Sequence, residues 1–349
     1  MVDFSMPAGA LVTEHDRPAD PAATVLGSVD VRRGAVGDIA GSSAGAILTT
    51  HPGDDSVALL NGRTLAVEAI IAVPGEPVAI ATHGNRAYVS TSSWTHKDEV
   101  TVIDTVARRV LARYPLADSI TALAVSPDGT RVFAGRTGDG SIAVSVIDTV
   151  AERARSIEVA TGAGIGIDAL AVAADGRRLH IATTDARGSA VLTVDVETGL
   201  VESAASIGAP IRDLAVADGT AYVLTSDRTR GGVVHIVELS TGRIAGIVEL
   251  GGAPTQLAMG ADKSRVYVVD YDQVLVVCTL SLRVVNTIVV DGRPSCVSVN
   301  AQSGRCYVAD YDGRVTAFGV DTTAPLTYSE FVASNALVSD IRDLEPVTA

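Results

Sequence analysis

Two stretches of this sequence repeat each other without a gap: Pro254-Thr-Gln-Leu-Ala-Met-Gly-Ala-Asp-Lys-Ser-Arg-Val-Tyr-Val-Val-Asp-Tyr-Asp272 and Pro294-Ser-Cys-Val-Ser-Val-Asn-Ala-Gln-Ser-Gly-Arg-Cys-Tyr-Val-Ala-Asp-Tyr-Asp312. Each copy reads as an apolar strand, a tight turn and a second apolar strand. Earlier copies begin near Asp38, Pro77, Ile120, Ile167 and Pro210. Successive copies start about 40 to 47 residues apart, the period of four-stranded β-propeller blades.

The turns and the remaining strands of the unit also recur. Asp-Gly pairs, which suit two-residue hairpin turns, separate the first two strands at Asp128-Gly129, Asp175-Gly176 and Asp218-Gly219. The third strand recurs as Val102-Ile-Asp-Thr105 and Val146-Ile-Asp-Thr149. The sequence therefore predicts an all-β protein of 349 residues, in which small cores are added side by side.

Counting blades from Asp38 gives six complete units and a seventh that ends after its third strand, near Gly319. The segment Thr24-Val-Leu-Gly-Ser-Val-Asp-Val31 matches a fourth strand. We therefore predict a seven-bladed β-propeller over residues 24–319, with four antiparallel strands per blade. The N-terminal strand completes the last blade and closes the ring, which removes an exposed sheet edge.

Two segments lie outside the repeat, an N-terminal extension over residues 1–23 and a C-terminal tail over residues 320–349. In the tail, apolar residues at near-helical spacing predict a short helix. They are Phe331, Leu337, Val338, Ile341 and Leu344. The helix would either cover the rim of the ring or serve as a docking segment for another protein.

The Tyr-Val core of the unit and its Val-Ile-Asp-Thr strands resemble the YVTN family of β-propeller repeats, in its actinobacterial form. The resemblance covers roughly residues 24–319 and implies the fold, not one activity. Related propellers include lactonases, cofactor-bearing dehydrogenase subunits, surface-layer proteins and interaction platforms. Several actinobacterial members resemble accessory proteins of the cell envelope, including partners of lipid exporters.

Composition excludes some classes of partner. The formal net charge is −14, so the surface repels nucleic acid and anionic lipid at long range. The N-terminus lacks the basic and apolar regions of a signal peptide, and no run of about 18 apolar residues occurs. We expect a cytoplasmic, monomeric propeller without membrane insertion, held peripherally at the inner membrane only through a partner.

Cysteine usage fits that compartment. Cys278, Cys296 and Cys306 are interpreted as reduced, buried thiols. Cys296 and Cys306 fall on consecutive strands of one hairpin, so a disulfide between them is the alternative.

The loops after the second strands and between blades share one face, where binding residues concentrate. The richest neighbourhood there spans blades 1 and 2, and Trp94 is the only tryptophan of the chain. Aromatic anchors of this kind carry much of the affinity in protein contacts. The candidate partner-binding residues are Trp94, His96, Lys97, Asp98, His51, Asp54, Asp55, Arg136, Arg187, Arg228 and Arg230. The alternative is that Trp94 packs over its own loop, with the histidines solvated.

No residue pattern predicts a catalytic or metal site, and no cofactor is expected. The six histidines are scattered over different blades, without paired ligand spacing. Asp270-Tyr-Asp272 and Asp310-Tyr-Asp312 repeat at one turn, which favours backbone capping over chemistry, with calcium as the alternative. Interleaved acids favour mutual pairing of the loop arginines over a free anion site.

These observations predict a non-enzymatic scaffold that presents its loop-rich face to a protein partner, such as a membrane protein complex of the envelope or of lipid export. The alternative is a lactonase or lyase acting in the central funnel. That activity would require acids, histidines or arginines to converge at the ends of the inner strands. A role in storage or stress is the third hypothesis.

Overall fold

The computed structural model describes residues 23–117, 119–300 and 303–320. These residues form seven four-stranded antiparallel sheets, and the fold is a seven-bladed β-propeller, as the repeat predicts. Apart from Ala23 and Val320, the predicted N-terminal extension and C-terminal tail lie outside the described residues. No helix in the described ranges is long and apolar enough to cross a membrane.

The strands follow one another from the centre of the ring outwards within each blade. Blade 1 contains β2 (Ile39–Gly41), β3 (Ala46–His51), a 3-10 helix (Pro52–Asp54), β4 (Ser56–Asn61) and β5 (Val67–Ala72). Blade 2 contains β6 (Glu76–His83), β7 (Arg86–Ser92), β8 (Glu99–Asp104) and β9 (Arg109–Pro115). Blade 3 contains β10 (Ser119–Val125), β11 (Arg131–Gly138), β12 (Ser141–Asp148) and β13 (Arg153–Thr161).

The later blades keep the same order. Blade 4 contains β14 (Gly166–Val172), β15 (Arg178–Asp185), β16 (Gly188–Asp195) and β17 (Val201–Ser206). Blade 5 contains β18 (Ile211–Ala217), β19 (Thr220–Asp227), β20 (Gly231–Glu238) and β21 (Arg243–Gly251). Blade 6 contains β22 (Pro254–Met259), β23 (Arg265–Asp270), β24 (Gln273–Cys278) and β25 (Arg283–Val289).

Blade 7 closes the ring in the predicted way. It contains β26 (Pro294–Val299), β27 (Arg305–Asp310), β28 (Arg314–Gly319) and, as its outermost strand, β1 (Thr24–Asp30). Thr24 lies opposite Gly319 and Asp30 lies opposite Arg314, so β1 runs antiparallel to β28. The N-terminal strand therefore covers the edge of the last blade.

The apolar cores lie between neighbouring blades. Alternating side chains of each twisted sheet pack against the next blade, as Val268 and Leu224 do between blades 6 and 5. Cys296 and Cys306 show this alternation, because they belong to the cores on opposite sides of blade 7. The three cysteines are buried, and none of them forms a disulfide with a described residue.

Two faces of the ring are used below. The upper face carries the turns between second and third strands and the loops that join blades. The lower face carries the turns between first and second strands and between third and fourth strands. The innermost strands start at the upper face, where they surround the central channel.

Candidate functional site

Trp94 projects from the upper face on the loop between β7 and β8. Its relative exposure is 104%, so the indole contacts little of its own loop. The loop is nevertheless held in one shape, since Ser93 Oγ accepts hydrogen bonds from the backbone N–H groups of Thr95 and His96. Asp98 accepts from Ser93 N at 3.3 Å and from Ile120 N of blade 3 at 3.2 Å. The fold presents an exposed aromatic ring on an ordered loop.

The other candidates of this neighbourhood divide into exposed and buried groups. His96, Lys97 and Asp55 are exposed. Asp54 bonds Ser56 Oγ at 2.7 Å and lies 3.4 Å from the guanidinium of Arg33, which follows β1.

His51 is completely buried, so it cannot contact a partner. Its Nε2 lies 2.9 Å from Thr49 Oγ1. Burial lowers the pKa of His51, because the charged imidazole would lose its hydration. The end of β3 therefore holds this histidine in the core, although the sequence placed it beside a loop.

Arg136 is also buried, and its guanidinium donates to the Ala117 carbonyl at 3.1 Å and to Ser156 Oγ at 2.6 Å. Like His51, it supports the fold beneath the upper face. Both residues lie too deep to bind a partner directly, so the accessible part of the candidate set is smaller than the sequence indicated.

Arg187, Arg228 and Arg230 are exposed on the turns of blades 4 and 5. The neighbouring acids were expected to pair with them, but these acids cap their own turns. Asp185 accepts from Arg187 N and Gly188 N, and Asp227 accepts from Thr229 N and Arg230 N at 2.7 Å each. Within the described part of the chain, none of the three guanidinium groups forms an ion pair. Their donors face solvent.

Two further aromatic residues of the upper face escaped the sequence reasoning. Tyr271 and Tyr311 are exposed at the tips of the equivalent turns in blades 6 and 7. The Arg293 guanidinium lies 5.7 Å from the centre of the Tyr311 ring, a cation–π arrangement. Blades 6, 7, 1 and 2 are consecutive around the ring, so Tyr271, Tyr311 and Trp94 lie on one arc. The signal was available, since both tyrosines occupy the middle of the repeated Asp-Tyr-Asp turn.

The paired aspartates of those turns act on the backbone. Asp270 is buried and accepts from Ala253 N at 2.7 Å, and Asp310 accepts from Asp312 N and Arg314 N. A Cβ atom at Gly252, whose φ is +57°, would overlap the Asp270 carboxylate. No group of three or more potential metal ligands occurs among the residues that the structure describes.

The central channel holds a second set of polar residues that the sequence reasoning missed. In six blades the innermost strand shifts register near its start, as between Ile211 and Asp213. The shift is typical of a β-bulge, which re-aims side chains. Residues at or beside these positions line the channel together with the segment before β2 in blade 1. The polar ones are Asp38, Thr121, Asp168, Arg212, Asp213, Thr255, Gln256 and Ser295.

Two of the channel carboxyl groups accept hydrogen bonds from the backbone of the next blade. Asp38 accepts from Ile80 N of blade 2 at 3.0 Å, and Asp213 accepts from Leu257 N of blade 6 at 2.9 Å. Gln256 donates to Asp38 at 3.0 Å and accepts from Val297 N at 2.8 Å. These bonds satisfy N–H groups on the free edge of the inner strands.

The surroundings of these carboxyl groups disfavour their charge. Burial raises the pKa of Asp38 to about 6 and that of Asp213 to about 7, although both keep partial access to the channel. Burial also raises the pKa of Asp168, which Arg212 and a 2.6 Å hydrogen bond from Thr184 oppose. Near neutral pH the channel is thus less negative than its acid content implies.

The fold and the two polar regions define a seven-bladed β-propeller with a loop-rich face above a polar channel. Over 192 residues the chain is 58% identical to a seven-bladed beta-propeller protein of Mycolicibacterium smegmatis, a match over 55% of this chain and 52% of that protein. Over 125 residues it is 38% identical to the seven-bladed beta-propeller protein Rv1057 of Mycobacterium tuberculosis, over 35% of this chain and 32% of that protein. The matches span about half, or less, of these curated relatives.

Among solved structures, hydrazine synthase of Kuenenia stuttgartiensis superposes on 90% of this chain and 99% of that chain, with a TM-score of 0.71. The sequence identity is 19%, so this likeness shows the fold alone. No protein-family model matches the chain.

Proposed function

We propose that this protein is a non-enzymatic scaffold that holds a protein partner on its upper face, with Trp94 as the anchor. The observation that carries the proposal is a fully exposed tryptophan on a loop whose backbone is fixed by Ser93 and Asp98. A loop backbone held in this way loses little conformational freedom on binding, and aromatic anchors dominate interface energies.

Charge supports the same face. The turns of blades 2, 4 and 5 on this face carry exposed donors, which are His96, Lys97, Arg187, Arg228 and Arg230. Among the described residues, the three guanidinium groups form no ion pair. Arginine is enriched at protein interfaces, because its planar fork binds carboxylates in a bidentate manner. The partner surface is therefore expected to be polar or acidic around an apolar pocket for Trp94.

The finer part of the proposal concerns the partner. The resemblance to YVTN propellers of actinobacteria points to a cell-envelope complex, such as one for lipid export, with this protein bound at the cytoplasmic side. The names of the two mycobacterial relatives state the propeller fold and do not identify a partner.

The test is affinity capture after cross-linking in cells, from separate cytosolic and membrane fractions. The tagged wild type, Trp94→Ala and Val150→Ala are compared, because Val150 is an exposed apolar residue of the lower face. We expect one membrane protein to be enriched with the wild type and Val150→Ala, and at least tenfold less of it with Trp94→Ala. Equal capture by all three proteins would refute the proposed surface.

The channel favours one alternative, an enzyme of the lactonase or lyase type. Asp38, Asp168, Asp213 and Arg212 do converge at the upper ends of the inner strands, as such an activity requires. Against it, Asp38 and Asp213 already accept backbone hydrogen bonds. Turnover in a lactone screen with added divalent metals, lost in Asp168→Asn and kept in Trp94→Ala, would favour the enzyme.

A further inference from the structure

The central channel carries a ring of equivalent positions at one level, with one position from each blade. In six blades it is the residue at which the innermost strand shifts register, such as Thr121 in β10. In blade 1 it is Gly37, because Gly37 follows buried Val36 as Arg212 follows buried Ile211. We call these positions the bulge ring, and in blade order they are Gly37, Val78, Thr121, Asp168, Arg212, Thr255 and Ser295.

Two neighbouring members of the bulge ring carry opposite charges without pairing. Burial raises the pKa of Asp168 in blade 4, and the Arg212 guanidinium in blade 5 opposes this shift, so the two groups interact. Within the described parts of the chain, however, neither group takes part in an ion pair. The channel therefore presents a positive and a negative charge side by side, and a ligand that carries both charges can bridge them.

Asp168 is also the channel carboxyl group with the most capacity left for a ligand. Asp38 and Asp213 each accept a hydrogen bond from the backbone of the next blade and another from the residue that follows them in the chain. In the described chain, Asp168 accepts from one hydroxyl group, Thr184 Oγ1, at 2.6 Å. Its remaining lone pairs are available to a ligand.

The space beside the charged pair is open. The order of the blades places blade 1 across the ring from blades 4 and 5, and the member of the bulge ring there is Gly37, which has no side chain. The channel has a volume of about 270 Å³, whereas pockets for drug-sized ligands have roughly 300–1,000 Å³. The channel therefore suits a small metabolite.

The rest of the lining has an aliphatic side and a hydroxyl side. Val78 of blade 2 is 38% exposed and lines the channel together with Ala79 and with Leu123 of blade 3. Thr255 and Ser295 line it on blades 6 and 7. A ligand whose charged end faces blades 4 and 5 thus finds apolar contacts for an aliphatic part on blades 2 and 3.

We propose that the channel binds a small aliphatic α-amino acid in its zwitterionic form. The carboxylate of the ligand pairs with the Arg212 guanidinium, its ammonium group pairs with Asp168, and its side chain packs against Val78. A guanidinium group binds a carboxylate in a bidentate manner, and such charge-assisted hydrogen bonds are stronger than neutral ones. The site lies inside the ring, so the proposal depends neither on a protein partner at the upper face nor on catalytic turnover.

The test is isothermal titration calorimetry of the full-length wild type with L-leucine and with three analogues that each lack one part of it. Isocaproate lacks the ammonium group, isoamylamine lacks the carboxylate, and glycine lacks the aliphatic side chain. We expect L-leucine to bind with a Kd in the micromolar range and each analogue to bind at least tenfold more weakly. Absence of L-leucine binding at millimolar concentration, or an analogue that binds as tightly as L-leucine, would overturn the proposal.

Variants of the charged pair test where the ligand binds. Arg212→Met and Asp168→Asn should each weaken L-leucine binding at least tenfold. The matched control is Arg243→Met, since Arg243 belongs to the same blade as Arg212 but is exposed on the lower face, at the start of β21. It should bind L-leucine as the wild type does, and circular dichroism checks that all three variants fold. Unchanged binding in Arg212→Met or in Asp168→Asn would show that the charged pair does not hold the ligand, and the proposal would be wrong.

Discussion

The two faces of the propeller use their charged side chains differently. On the lower face, ion pairs join neighbouring blades: Arg108 to Glu68 at 2.8 Å, Arg131 to Glu197 at 2.6 Å and Lys263 to Asp218 at 2.7 Å. On the upper face, the acids beside Arg187, Arg228 and Arg230 cap their own turns, and those arginines face solvent. These lower-face ion pairs contribute to the contacts between blades, whereas the guanidinium groups of Arg187, Arg228 and Arg230 remain available to a partner.

The tyrosines show the same contrast. Tyr307 is buried, and its hydroxyl donates to the Gly62 carbonyl of blade 1 at 2.7 Å, across the closure of the ring. Tyr311 follows four residues later, at the upper face, and half of its surface is exposed. One repeat unit therefore supplies a tyrosine for the core and a tyrosine for recognition.

The largest expected effect on stability concerns Tyr307, which joins blade 7 to blade 1. Tyr307→Ala should lower the free energy of unfolding by about 3–5 kcal/mol, because it leaves a cavity and removes the bond to Gly62. Urea denaturation measures the change. The control, Tyr311→Ala, should stay within about 0.5 kcal/mol of the wild type. A loss at Tyr311 as large as that at Tyr307 would show that both faces contribute equally to closure.

The second prediction concerns pH, since the carboxyl groups of the two regions are shifted in opposite directions. Burial raises the pKa of Asp38 and Asp213, so the native state holds more protons than the unfolded state between about pH 4 and pH 7. Unfolding free energy should fall as pH rises through this window. For Asp213 the loss is on the order of 2 kcal/mol, allowing for its partial access to the channel.

Asp213→Asn should flatten this dependence between pH 5 and pH 8, measured by denaturation at each pH. Backbone N–H groups lower the pKa of the lower-face Asp104, so its contribution is lost only as pH falls below about 4. Asp104→Asn therefore serves as the control and should leave the range from pH 5 to pH 8 unchanged. If Asp213→Asn kept the wild-type slope, its carboxyl group would already be charged at pH 5.

The smallest predicted effect compares single arginines. Arg108→Ala removes an exposed ion pair between blades 2 and 1 and should cost at most about 1 kcal/mol, less at high salt. Arg228→Ala should leave stability unchanged within error and instead weaken partner capture. Denaturation midpoints and capture yields of both proteins are measured together. Reversal of the two outcomes would mean that the faces have been assigned the wrong roles.

The fold was predictable because each blade repeats its own local signals. Asp-Gly turns, valine-rich runs and the repeat period predict where the strands lie. The seventh blade lacks an outermost strand within its own repeat, and Thr24–Asp30 is the segment that matches one. These features depend on local sequence and can be predicted without knowledge of the packing. The sequence left open whether Trp94 packs over its own loop, and the structure shows it exposed.

The burial of His51 and Arg136 was not predictable in this way. Both lie at the upper ends of strands, where one residue of register decides between core and solvent. The channel was missed because its polar residues come from one or two positions in each of six distant units. An alignment of the innermost strands would place Asp38, Asp213 and Gln256 in one column with the smaller Ala79 and Ala122.

The most direct test of the central claim is hydrogen–deuterium exchange of the protein alone and in complex with the partner that capture identifies. The account predicts slower exchange on binding in the loop of residues 93–98 and in the turns at 228–230, 271–272 and 311–313, all on the upper face. The lower-face turns at Asp104–Arg108 and Asp148–Glu152 should exchange at unchanged rates. Protection confined to those lower turns, with the Trp94 loop exchanging freely, would contradict the account.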